Sequence, residues 1–118
     1  MENELIDWWF SGGKNSTFQI LDVGQINVTD GADVLNARIK IENTMYEGSV
    51  EFDYNSSFWL KHGHFQNPFY QNVLLHICQI ADCKMFHGYY PKFQFILQDE
   101  TLIQINPNKS FETRKQLF

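Results

Sequence analysis

From Ala37 to Glu42 the chain alternates: Ala37, Ile39 and Ile41 are apolar, Arg38, Lys40 and Glu42 charged. A period of two puts every apolar side chain on one face of an extended backbone, which predicts a half-buried strand. Glu42-Asn43-Thr44 supplies turn residues, and Val50, Phe52 and Tyr54 then alternate with Ser49, Glu51 and Asp53 to complete a hairpin. Upstream, Phe18, Ile20 and either Leu21 or Val23 predict another strand, followed by a polar turn from Asn27 to Asp33. Val73 to Ile80 is almost continuously apolar, interrupted by His76 and Gln79. Such a run predicts a strand covered on both faces, central in its sheet. Phe93 to Leu97 and Thr101 to Ile105, around Gln98-Asp99-Glu100, predict a closing hairpin.

The helical signals are short. Asn3 is placed to cap a helix over Glu4 to Phe10, with acids in its first turn, and Ser11-Gly12-Gly13 ends it. Ser56 and Ser57 open a helical turn through Phe58, Trp59 and Leu60 that stops at Gly63. Together these elements predict an α+β fold: a β-rich single domain, with a mainly antiparallel sheet, a short N-terminal helix, and a short helical segment before a buried central strand. Residues 1–106 form the expected core, and 107–118 a polar tail that stays loose until any docking of Phe118.

Composition narrows the class. With 118 residues, 43% hydrophobic and 16% aromatic, the chain can bury one compact core but not two. Cys78 and Cys83 are the only cysteines; no Cys-x-x-Cys pair is present for zinc, and they read as reduced, packed thiols. The first ten residues hold Glu2, Glu4 and Asp7 and no basic residue, unlike a secretory leader. No apolar run approaches the ~20 residues of a membrane span. The expected location is the cytoplasm, without membrane association.

One long set of matches carries a family resemblance. Asn27-Val28-Thr29-Asp30-Gly31-Ala32-Asp33, Leu35 to Ile41, Gly48-Ser49-Val50-Glu51, Ser56-Ser57-Phe58-Trp59, Lys61-His62-Gly63-His64 and Pro68 to His76 fall in order along the chain. They resemble the N-terminal part of the domain of unknown function 2851 family. Family members are much longer, so the resemblance implies a minimal or truncated version. It also implies a Glu-x-His-x-Lys pattern where this chain has Glu51-Phe52-Asp53-Tyr54-Asn55, and acids where it has Phe58 and Asn67.

The element order helix, three strands, helix, strand is similar to that of restriction-endonuclease-like (PD-(D/E)xK) nucleases. That group holds Mg²⁺ with an acid at the start of the second strand and an acid on the third, beside a lysine. Hard, hydrated Mg²⁺ takes oxygen ligands, and Glu51 and Asp53, two apart, share one strand face. Asp33, Glu51 and Asp53 are therefore the candidate catalytic residues, with Asp33 and Asp53 as metal ligands. Asn55 stands where the lysine is expected, and Lys40 is the substitute cation nearest in pattern. Against this, alternating charges on a hairpin ordinarily form its water-facing side. His62, His64 and His76 contain a His-x-His spacing able to bind metal, although His76, inside an apolar strand, reads more simply as a buried, hydrogen-bonded imidazole.

The aromatic segment offers a different chemistry. Phe58, Trp59, Phe65, Phe69 and Tyr70 interleave with Lys61, His62 and His64. Trp59, Lys61, His62, His64 and Tyr70 are candidate binding residues, since rings and cations stack and neutralise single-stranded nucleic acid. The formal charge of −5 opposes phosphate binding and favours a sheet cover or a protein contact. The sequence thus points first to a non-catalytic binding or protein-interaction module, with a protein partner or self-association and no cofactor. The alternative is a metal-dependent, nuclease-like phosphodiesterase, degenerate in its lysine and using Mg²⁺.

Overall fold

The alternating stretches become the middle of one mixed sheet in the computed structural model, which describes residues 2–83, 87–105 and 114–116. The strands are β1 (Gln19–Asp22), β2 (Gln25–Ile26), β3 (Val34–Ile41), β4 (Thr44–Asn55), β5 (Val73–Ile80), β6 (Phe93–Ile96), β7 (Thr101–Gln104) and β8 (Arg114–Gln116). Their spatial order is β1-β3-β4-β5-β6-β7, with β2 also on β3 and β8 on the start of β4. β1, β3 and β4 run antiparallel, as do β6 and β7. β5 is parallel to both of its neighbours. Parallel neighbours require crossover connections, and 56–72 and 81–92 provide them. The apolar run of Val73–Ile80 is the signature of such a doubly covered strand, and its first six residues are all buried. The α+β class and the antiparallel flanks match the sequence reading; the parallel centre adds to it.

The pleat sorts side chains onto two faces. On one, Val50 and Phe52 of β4, Leu75 and Ile77 of β5 and Phe93 and Phe95 of β6 lie beneath α1 (Glu2–Phe10). Leu5 and Trp9 of α1 enter this core, and the Trp9 indole, fully buried, donates to the Val23 carbonyl at 2.9 Å. Truncating a buried ring of this size costs about 3–5 kcal/mol. The helix begins at Glu2, so Asn3 lies within its first turn instead of capping it. It stops where expected: Gly13 donates its N–H to the Trp8 carbonyl at 2.9 Å and takes φ +50°, a conformation that strains any other residue, and a Cβ there would also displace the end of the Ile20 side chain.

The opposite face is covered by the first crossover. It contains α2 (Phe58–Lys61) and two 3-10 turns, His64–Gln66 and Pro68–Tyr70. Trp59 packs there with Ala32 and Val73, flanked by Leu60, Phe65 and Tyr70. The aromatic segment therefore lines the sheet and closes over the acidic side of β4. Glu51 and Asp53 are consequently buried, where the alternation suggested a water-facing side. Alternation specifies that two faces differ; it does not reveal what folds over the second.

Within the tail, Arg114–Gln116 pairs antiparallel with Thr44–Tyr46, while Phe118 lies outside the described residues. Among the described residues no helix is long and apolar enough to cross a membrane.

Candidate metal centre

Strand register builds the site. Glu51 of β4 pairs with His76 of β5, and His76 with Gln94 of β6. Three polar side chains thus form a row across three parallel strands, on the face beneath the crossover. One pleat further, Asp53 pairs with Cys78. Asp33 arrives just ahead of β3 from a turn pinned by Asn27, whose Nδ2 donates to the carbonyls of Asp30 and Ala32.

The three acids come together. Glu51 Oε1 accepts from the Asp33 backbone N–H at 3.1 Å, and Asp33 Oδ2 accepts from the Phe52 N–H at 3.0 Å. Their crowding is electrostatically adverse. Burial, reinforced by the charges of Asp33 and Asp53, pushes the Glu51 carboxyl up to about 10, so it holds its proton at neutral pH. Burial likewise raises Asp33, against the pull of the Phe52 N–H.

Asp53 is oriented from behind. Its Oδ2 lies 2.8 Å from His76 Nε2, and Gln94 Nε2 stands 3.1 Å from His76 Nδ1. With the Gln94 amide so placed it donates to Nδ1, which leaves the His76 proton on Nε2, directed at Asp53. The Cys78 thiol completes this layer at 3.5 Å from Nδ1, and burial raises its pKa.

The crossover supplies two more imidazoles. His62 Nδ1 lies 3.5 Å from Asp53 Oδ1, with 47% of the His62 side chain exposed. His64 is buried, stacked on Tyr70 with centroids 3.8 Å apart, and edge-on to Trp59 at 5.3 Å. Glu51 Oε2 lies 3.0 Å from His64 Nε2, but off the line of a hydrogen bond, so neither ring nitrogen has a hydrogen-bond partner. Burial lowers the His64 imidazole to about 4, which leaves it neutral with a lone pair available. One ligand atom each from Asp53, His62 and His64 lie within 4.8 Å of one another.

Other sequence candidates fall elsewhere. Lys61 extends over the Phe58 ring, 5.5 Å from its centroid. Lys40 borders a surface cleft with Asn15–Gln19 and Glu42, at the far end of β3 from Asp33. Seven residues of strand separate the two, roughly 23 Å, so Lys40 does not replace the missing lysine. The Asn55 amide instead donates to Asp82 Oδ2 at 3.1 Å. Trp59 is buried, donating from Nε1 to the Tyr89 carbonyl, and Tyr70 donates its hydroxyl to the Gly31 carbonyl. Gln94 was not singled out by sequence, although a polar residue between Phe93 and Phe95 is the available signal, and Cys78, read as a packed thiol, was not placed at the site.

Residues 10–109 match a family model described as Protein of unknown function (DUF2851). No curated protein and no solved structure matches significantly.

Proposed function

Because the chain belongs to the DUF2851 family, whose description assigns no activity, its own site must suggest one, and we propose a metal-dependent phosphodiesterase of the restriction-endonuclease-like kind. The observation that carries this reading is the meeting of Asp33, Glu51 and Asp53 on the covered face of the sheet. Carboxyl groups crowded here, Glu51 and Asp53 buried and Asp33 half-buried, disfavour a phosphate on their own, so the arrangement suits a cation that both sides share. The orphaned nitrogens of His64 beside Asp53 support the fit of a metal ion here. Such an ion, when bound, would polarise a phosphoryl oxygen.

The chain's own groups divide the remaining work. Asp53, fixed by His76, offers Oδ1 to the site. Asp33 is held by the Phe52 amide and by a side-chain hydrogen bond with Glu51. Glu51 keeps a proton at neutral pH and is the acid able to release it to a leaving oxygen. No described lysine stands beside these acids, so the usual cation of the nuclease pattern is absent from this arrangement. The experiment is cleavage of plasmid, single-stranded DNA and RNA by the purified chain with Mg²⁺ or Mn²⁺. Cleavage that falls by roughly 10²-fold or more in Asp53→Ala is expected. No cleavage of any of the three with either metal would overturn the reading.

An interaction module is the second reading, and one observation favours it. Val28 is 90% exposed and Phe69 65%, both beside the turn that ends at Gly31. Apolar side chains held out in this way suit a protein contact.

A further inference from the structure

We propose that Asp53, His62 and His64 form a binding site for one transition-metal dication of the zinc, cobalt or manganese class, with His76 and Gln94 as its supporting layer. The inference shares Asp53 with the phosphodiesterase reading and deepens it by naming the cation; metal binding itself can be measured whether or not the site turns anything over.

Four observations converge. The three ligand atoms already lie within 4.8 Å of one another. Ligands of a common metal at about 2.0–2.2 Å sit closer than that, so modest side-chain movement closes the set. His64 is the independent pointer. Its side chain is only 8% exposed, and both ring nitrogens lack hydrogen bonds. Buried imidazoles ordinarily find hydrogen bonds; here Glu51 Oε2 only approaches Nε2 at 3.0 Å without making one, and a ring so placed beside Asp53 and a second imidazole suits a metal ligand. Tyr70 and Trp59 fix the plane of that ring, as a preformed site requires.

The supporting layer has the form seen around protein-bound metals. His76 holds one oxygen of Asp53 at 2.8 Å and leaves the other toward His62, while Gln94 sets the His76 tautomer. Outer partners of this kind orient the ligand and raise its affinity for the ion. The fourth observation is access. His62 is half exposed, so the site opens to solvent on one side and keeps positions for water or a substrate oxygen. Two imidazoles and one carboxylate select transition metals; Mg²⁺ and Ca²⁺ prefer oxygen alone. The Mg²⁺ expected from the acids is thereby replaced with a metal that takes nitrogen.

The test uses the full chain stripped with chelator, then dialysed against Zn²⁺ or Co²⁺ with excess Mg²⁺ present. One metal per chain is expected, with Co²⁺ ligand-field absorption, and Mg²⁺ should not displace it. His62→Ala and His64→Ala should each weaken binding by more than the roughly 10–100-fold loss expected for Gln94→Ala, which touches only the supporting layer. His87→Ala, a histidine outside the cluster, should bind as the parent does. Circular dichroism of each variant, with His64→Asn as a milder change, separates lost ligation from lost folding. Failure to bind either metal, or full binding by a folded His64→Asn or His64→Ala, overturns the proposal. Binding without nucleic-acid cleavage sustains this site and defeats the phosphodiesterase reading. Mg²⁺-dependent cleavage by a chain that binds neither Zn²⁺ nor Co²⁺, persisting in His62→Ala and His64→Ala, does the reverse.

Discussion

At position 51 three carboxyl groups compete in a space closed by Trp59 and His64. The outcome is a glutamic acid that remains protonated to about 10 in the fold, whereas an unfolded chain releases that proton near 4.5. At this group the folded state therefore binds more protons across the interval, and the stability that Glu51 contributes falls as pH rises from about 4.5 through about 10. Glu51→Gln is neutral at every pH and keeps an oxygen for the Asp33 N–H. The variant should have a flatter stability-versus-pH curve, and at pH 8 without metal it should exceed the parent by more than about 1 kcal/mol. Urea unfolding from pH 5 to 9 in the presence of chelator measures this. Parallel curves for the two proteins would rule out the protonated Glu51. How far these residues were legible depended on distance along the chain. Asp33, Glu51 and Asp53 were selected through the likeness to the nuclease element order, helped by the two-residue spacing of Glu51 and Asp53, whereas the His-x-His of 62 and 64 came from spacing alone. Their burial was not legible, because it comes from a segment that folds back over the strand. The value of Gln94 was hidden in register, which a single strand's pattern does not contain.

One joint holds the elements around this site. β4 ends at Asn55 and β5 at Ile80, and Asp82 ties both to the start of α2. Asp82 Oδ1 accepts from the Ser57 N–H at 2.8 Å and the Ser56 hydroxyl at 3.1 Å; Oδ2 accepts from the Ser57 hydroxyl at 2.8 Å and from Asn55. In return, the buried Ser56 Oγ accepts from the backbone N–H groups of Asp82 and Cys83. Against the opposing effect of desolvation, these bonds hold the Asp82 carboxyl down to about 2. The joint is fully made above pH 4 and is lost as pH falls through about 2. Its carboxylate is solvent-exposed, so the gain is that of a helix cap. Asp82→Ala should cost about 1–2 kcal/mol and lower Tm by roughly 4–12 °C near neutral pH, read by differential scanning calorimetry. An unchanged Tm would show that the joint adds nothing. The serines at 56 and 57 marked the helix start in the sequence, but their acidic partner, some 25 residues downstream, did not announce itself. Strands and turns declare themselves locally; contacts between the ends of parallel strands do not.

Across the whole molecule, the sheet divides an apolar half from a polar one. α1 and its aromatic core occupy one side, and every titratable group of the candidate centre lies on the other. The central position of β5 follows from its composition, whereas its direction relative to β4 follows from the intervening 56–72 crossover. That difference explains why the α+β class could be read early and the mixed centre could not.

The same crossover gives the molecule two tiers of motion. β5 is bonded on both edges and buried on both faces, so its amides exchange with deuterium only when the whole domain opens. The 56–72 segment is made of short turns that open singly, and it carries His62 and His64. An ion or substrate settling at the centre should therefore slow deuterium uptake across 56–72 while leaving Val73–Ile80 at its ceiling, a contrast that exchange mass spectrometry can read. Equal slowing in both would place the ligand elsewhere. The fold thus contains its own reference standard: a silent strand lying directly beneath the segment that reports.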